Sequence, residues 1–339
     1  MITMAVVFLF LGLLLASILL WALFLGIGLR WARVQEVTAL RVVFATIMVF
    51  VLQVMLRIAL GLAWPAAPRL FLNVGIVELA VAAILPPLAI MLFFKTSFFR
   101  ALQAWLPTLI APIVMVAFIL LVFRPFLVEA FVSPTNAMAP TLLGRHWQGT
   151  CEVCGSPAYC SPSRHDFDFM ERPRMICRDE FHVTQPVDRG EKVFAADRFL
   201  AAKFLKPQRW DLVVFRFPEN PSVLYVMRLV GLPGEQITIS DGQVWANGGR
   251  LTPPDSIRGI FYLSESDFSL GDLWASPERP ANLGDDEYFF LGDFSAQAND
   301  SRYWDRGAPS HQPFAVPESN LVGVVTHTYW PPIRWRTFR

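Results

Sequence analysis

The chain carries little charge of either sign. Asp, Glu, Lys and Arg make up 17% of its 339 residues, and 29 basic against 28 acidic side chains leave a formal net charge of +1. No basic field exists for a polyanion to bind, so nucleic acid is excluded as a partner. Cysteine is scarce too: there are four, all between Cys151 and Cys177. Such clustering excludes a disulfide framework for the whole fold and marks one local site. The five histidines are scattered, and no Ser–His–Asp spacing stands out. Beyond Arg124, long amphipathic helical patterns are missing.

What is abundant is apolar sequence. Hydrophobic residues reach 54%, with the excess in the first third. Four stretches approach the ~20 residues that span hydrocarbon. They run Met4–Leu29, Val42–Trp64, Val74–Phe94 and Leu106–Phe123. The first is too long for a cleaved signal and no basic residue precedes it, so a retained helix is expected. Residues 1–124 therefore read as a four-helix transmembrane anchor. Arg30, Arg33 and Arg41 lie between helices one and two, Lys95 and Arg100 between three and four, and Arg69 alone between two and three. Positive-inside reasoning places the first and third loops in the cytoplasm, and everything after Phe123 outside it. Arg57 and Glu78 fall in or near the spans and read as a helix–helix ion pair, or as Arg57 snorkelling to the interface.

Residues 125–339 read as a mainly β domain. Short apolar runs such as Leu212–Phe215 and Leu224–Val226 alternate with Pro/Gly punctuation. Gln243-Val244-Trp245-Ala246 followed by Asn247-Gly248-Gly249 predicts a strand entering a tight hairpin turn.

Four motifs in this domain occur in an order that resembles type I signal peptidases (peptidase family S26). Pro134-Thr135-Asn136-Ala137-Met138-Ala139-Pro140-Thr141-Leu142 resembles the nucleophile box, Pro-Ser-x-Ser-Met-x-Pro-Thr-Leu. Arg209–Phe215 resembles the family's Arg-Gly-Asp-Ile-Val-Val-Phe strand, and Tyr225–Glu235 the lysine box, Tyr-Val-Lys-Arg-Val-x-Gly-x-Pro-Gly-Asp. Gly292-Asp293 and Asp300-Ser301-Arg302 are similar to the two ends of the last box. The resemblance implies a membrane-anchored β domain facing away from the cytoplasm, in the cytoplasmic (inner) membrane, with signal peptides or preproteins as partners.

The same resemblance exposes missing chemistry. The family uses a Ser–Lys dyad, whose Lys is kept neutral by desolvation so that it can take the Ser proton. Ala137 stands at the Ser position and Met227 at the Lys position. A methyl group cannot attack a carbonyl, and a thioether is no base near neutral pH. Ala298 replaces the Ser that contacts the Lys amine, Phe294-Ser295 replaces Asn-Arg, and Asn136 stands where the family has Gly. Thr135 keeps a hydroxyl at the oxyanion position, and Asp300 and Arg302 can still pair at the pocket wall. Pro134, Thr135, Met138, Pro140 and Tyr225 are the candidate peptide-binding residues. No cofactor is expected for catalysis.

Residues 145–189 form an insert that common signal peptidases lack. Cys151-Glu152-Val153-Cys154-Gly155 has the Cys-x-x-Cys-Gly pattern of a zinc knuckle, in which a tight turn aims two thiolates at one ion. Cys177 supplies a third ligand, and Cys160 or His182 a fourth. Structural zinc and disulfide pairing both remain open, the latter favoured by an extracytoplasmic location. Either would staple an insert too short for its own core.

The expected molecule is thus a multi-pass, mainly β membrane protein: four helices, a signal-peptidase-like domain and a zinc-ribbon-like insert. Three functions fit: a pseudoprotease that binds signal-like or other extended peptides, an active serine-type endopeptidase with an unrecognised nucleophile (for instance Ser133 or Thr135 with His146 as base), and a structural subunit of a membrane assembly.

Overall fold

The computed structural model describes residues 2–63, 74–162, 174–184, 192–263 and 273–338. The chain forms two compact units, Met1–Phe123 and Arg124–Arg339.

In the first unit, α1 (Ile2–Trp31) and α2 (Ala39–Ala63) are joined by a short turn. Arg41 is paired there with Glu36 at 2.9 Å, beside the Phe94 ring. Helix α3 (Val74–Phe94) carries Pro86 and Pro87 in its interior. Helix α4 (Phe98–Phe126) begins eight residues before the expected Leu106. Ser97 precedes it in extended geometry, and a tighter turn over Leu106–Leu109 carries the helix past Pro107, whose missing N–H would otherwise break the ladder. Arg100 is therefore helical rather than a loop residue.

Three helical stretches, Phe8–Trp31, Ala39–Ala59 and Phe98–Phe126, are long and apolar enough to cross a bilayer. The described apolar part of the third helix, Leu79–Phe94, is shorter. Trp64, Arg69 and the Glu78 side chain lie outside the described residues. Small residues form the seam of this unit. Ala22, Ala32, Ala45, Ala101 and Ala104 are buried with Leu25, Leu29 and Ile90. A Cβ on Gly28 would lie 1.9 Å from the Ala104 carbonyl oxygen, so α1 and α4 meet backbone to backbone.

The second unit is built on antiparallel sheets. Strands β1 (Val128–Val132), β6 (Arg198–Ala202), β15 (Leu321–Trp330), β7 (Leu212–Phe217), β8 (Asn220–Gly231), β13 (Glu287–Leu291) and β14 (Val316–Pro317) pair in that order, and β16 (Arg336–Thr337) pairs with β15. Strand β7 is central, and all four of its first residues are buried, which accounts for its unbroken Leu-Val-Val-Phe run. A second sheet comprises β9 (Gln236–Ser240), β10 (Gln243–Ala246), β11 (Gly249–Arg250) and β12 (Ala281–Asn282). The predicted hairpin joins β10 to β11. Asn247 and Gly248 have φ of 51° and 77°, and Ala246 pairs with Gly249, as a two-residue primed turn requires. The insert forms its own sheet of β2 (Trp147–Thr150), β3 (Pro157–Cys160), β4 (Met175–Cys177) and β5 (Val183–Thr184).

One core cluster gathers on the main sheet. Phe215 stacks on Phe290 at 4.5 Å between ring centres and meets Trp304 edge-on at 6.2 Å. Trp304 is buried, so it packs the core rather than resting at a membrane, whereas Trp330 and Trp335 are exposed. Phe215→Ala removes a fully buried ring from this stack and is expected to cost about 3–5 kcal/mol. Phe217→Ala, at a partly buried neighbour, should cost clearly less. Denaturant unfolding followed by Trp fluorescence checks the ranking.

Candidate functional site

The four motifs converge through two buried ion pairs. Arg228 of β8 binds Asp293 with two parallel bonds, Nε to Oδ1 at 2.6 Å and Nη2 to Oδ2 at 2.5 Å. Thr141 of the nucleophile box donates its hydroxyl to the same Asp293 carboxylate, and Arg228 Nη1 donates to the Trp210 carbonyl at 2.7 Å. One carboxylate thus joins the nucleophile, lysine and last boxes. Burial alone would disfavour the Arg228 cation, but the Asp293 charge and hydrogen bonds outweigh it and raise its pKa.

The second pair is Arg302 with Asp300, both fully buried. All five guanidinium N–H groups are used: two on Asp300, two on Ser295 (hydroxyl at 2.7 Å, carbonyl at 2.9 Å) and one on the Leu263 carbonyl. Ser295 is therefore a partner of Arg302. The Arg228–Asp293 pair was not singled out from sequence. Its signal was the Arg directly after the lysine position and the Asp after Gly292.

Ala137 lies among small groups. Its carbonyl accepts from Phe294 N at 3.0 Å. A Cβ on Gly292 would lie 2.2 Å from the Ala298 methyl and 2.8 Å from the Ala137 oxygen, so Gly292 packs directly against both residues. Phe294 is fully buried and Ala298 nearly so. Met227 is buried on β8, opposite Val213, in an apolar cluster with Met138, Leu142 and Leu212. A thioether side chain suits such a dry site. Thr135 is exposed, and its Oγ1 accepts from the Ala137 backbone N at 3.4 Å.

The other candidates separate by burial. Pro134 and Thr135 are exposed, while Met138 and Pro140 are buried and support the loop from within. Tyr225 is half-buried and stacked on Phe217 at 4.7 Å. Ser133 is buried and donates to the Thr135 carbonyl at 3.1 Å. His146 donates Nδ1–H to the Gly144 carbonyl at 2.8 Å, stacks on Phe194 and meets Tyr159 edge-on. The described hydrogen bonds therefore join His146 to neither Ser133 nor Thr135. Desolvation pushes its pKa below the ordinary 6.5.

Asn136 explains its own departure from the family pattern. It is buried; its Oδ1 accepts from Gly144 N at 2.9 Å, and its Nδ2 donates to the Arg145 carbonyl at 2.8 Å and to Ser161 Oγ at 2.9 Å. Ser161 also accepts from Gln297 Nε2 at 3.3 Å. Ser161 follows β3 of the insert, so the insert touches the residue before Ala137 and the residue before Ala298.

In the insert, Cys151 Sγ, Cys154 Sγ, Cys177 Sγ and a His182 ring nitrogen lie within 4.8 Å of one another. Cys160, the other sequence candidate, is not in this group. It is buried on β3, paired with Trp147. No disulfide joins the cysteines.

A family model described as signal peptidase, peptidase S26, matches residues 102–330. Signal peptidase I of Pseudomonas fluorescens is 28% identical over 235 residues, covering 64% of this chain and 70% of that protein. That of Pseudomonas aeruginosa is 27% identical over 234 residues, with the same coverage, and that of Rickettsia typhi 30% over 206 residues, covering 54% and 68%. A solved signal peptidase I from Enterococcus faecalis V583 is 26% identical and covers 36% of this chain and 98% of its own, with a TM-score of 0.26. The chain belongs to the signal peptidase family S26, whose members act on preproteins.

Two outcomes follow from this site. Asn136→Ala leaves the Gly144 N–H, the Arg145 carbonyl and Ser161 short of a partner and is expected to cost about 1–3 kcal/mol, read by thermal unfolding. Because the folded pKa of His146 is depressed, the unfolded chain takes up the proton first as pH falls. The stability His146 contributes is thus complete above about pH 6.5 and drains below it. His146→Asn keeps a donor there without titrating, so its melting temperature should fall less between pH 7.5 and 5 than that of the unmodified chain.

Proposed function

We propose that this chain is a catalytically silent signal peptidase I homologue that holds signal-like or other extended peptides at the outer face of the cytoplasmic membrane without cutting them. The observation that carries this reading is the pair at the dyad positions: Ala137, whose carbonyl packs against Gly292, and Met227, buried among apolar side chains. Neither offers a nucleophile or a base, and an oxyanion hole stabilises nothing until a group attacks.

Two features support peptide holding. Strand β1 lies at the edge of the main sheet and runs into Ser133 and Pro134, so its outer backbone groups suit strand addition. The lost groups were also replaced by ones that keep the fold. An unpaired Lys at position 227 would be a desolvated polar group, whereas Met packs there. The reading includes a fourth span, made by α3, and the topology set by the Arg-rich first loop. Exposed Trp330, Ile333 and Trp335 near the chain's end suit contact with the interfacial region.

The test is preprotein cleavage in detergent by the unmodified chain and by an Ala137→Ser/Met227→Lys/Ala298→Ser variant. The unmodified chain is expected to lie at least about 10⁴-fold below a working family member, the loss typical of removing a nucleophile and its base together. It should still bind a fluorescent signal peptide. The triple variant is expected to regain measurable cleavage at the usual junction. Cleavage there by the unmodified chain overturns the proposal.

A further inference from the structure

Among the described residues, the insert has little apolar packing of its own. The cluster on one face of its sheet consists of Cys151, Ala158, Cys160, Met175 and Cys177, so three of its five members are cysteines. The other face is donated to the domain core, where Tyr159, Ile176 and Phe181 pack with Ile257, Ile260 and Tyr262. A sheet this small needs another source of cohesion.

Two backbone turns supply one. In the first, Gly155 N donates to the Cys151 carbonyl at 2.9 Å, with Gly155 at φ 74°, and Cys151 N donates to Ser156 O at 2.8 Å. In the second, Cys177 N donates to His182 O at 2.9 Å, and Glu180 N points at Cys177 Sγ from 3.4 Å. The turns are tied by Ser156 Oγ donating to Asp179 at 2.7 Å. Each turn presents two ligand atoms, Cys151 and Cys154 from one, Cys177 and His182 from the other.

The spacing of those atoms is selective. A tetrahedral zinc with Zn–S near 2.3 Å and Zn–N near 2.0 Å sets its ligand atoms roughly 3.5–3.8 Å apart. Cys154 Sγ and Cys177 Sγ are 3.8 Å apart, and Cys151 Sγ lies 3.9 Å from His182 Nδ1. A disulfide would need about 2.05 Å between sulfurs. Three sulfurs and one imidazole in a closed set are a structural zinc donor set, with no position left open for water or substrate.

We propose that Cys151, Cys154, Cys177 and His182 bind one structural Zn²⁺, with Nδ1 as the histidine donor and Cys160 outside the site. The ion clamps the two turns and so fixes β3 and Ser161, whose hydroxyl braces Asn136 and Gln297. This assignment stands whether or not the chain cuts peptides.

The full chain, purified in detergent without added metal, is expected to carry close to one zinc by elemental analysis. Its four thiols should titrate after denaturation with a chelator. Cys154→Ser, at an exposed ligand, should lower zinc retention on dialysis by at least about tenfold, as should His182→Ala. Cys160→Ser should keep the metal, and His182→Cys, which offers a fourth thiolate, should keep it too. The proposal is overturned by zinc near zero together with no thiolate–metal absorption on adding Co²⁺. A disulfide-linked pair among Cys151, Cys154 and Cys177 overturns it as well, and so does zinc that leaves with Cys160 but stays with His182→Ala.

Discussion

The Asp293 carboxylate is the point on which the soluble unit depends. Arg228, from the strand that carries Met227, grips it with two bonds, and Thr141, from the loop that carries Ala137, donates to Oδ2 of the same carboxylate. A buried pair of this kind is hard to lose in steps. Removing one partner strands a charge in a dry interior at a cost of about 3–5 kcal/mol. The Arg302–Asp300 pair adds a second such constraint, with every guanidinium donor occupied. These two pairs hold the fold together whatever side chains stand at positions 137 and 227.

The replacements at the dyad follow the same logic. Ala137 and Ala298 are the smallest side chains that still satisfy L-residue geometry, and they meet at Gly292, where no Cβ fits. Met227 fills the length of a lysine stem with apolar, deformable atoms beside Met138 and Leu142. Ser295 then takes up Arg302 donors.

Much of this was legible in the sequence, because motifs are local. The order of the four boxes, the Asn247-Gly248 hairpin and the Cys151–Gly155 knuckle depend on residues within a few positions of each other. What could not be read depends on distant partners. The fourth member of the cysteine site is His182 rather than Cys160, because Cys160, though on the same sheet face, lies two residues along β3 from Ala158, the partner of Cys177, while the Cys177 turn brings His182 back. Met138 and Pro140 look like groove residues from their motif and are buried in the core. The fourth helix starts at Phe98, since a tightened turn accommodates Pro107 where sequence alone suggests a boundary. The Arg228–Asp293 pair spans 65 positions, and no local pattern announces it.

Asn136 has a consequence for how this branch of the family can change. Its amide spans the nucleophile loop, the Gly144–Arg145 turn and Ser161 at once. The added segment is therefore no detachable ornament. Excising it orphans an amide in the interior, and a glycine at position 136 leaves Ser161 without that bond. The two features are locked as a pair, so descendants should gain or lose them jointly, and a graft of either into an active relative should succeed only with the other.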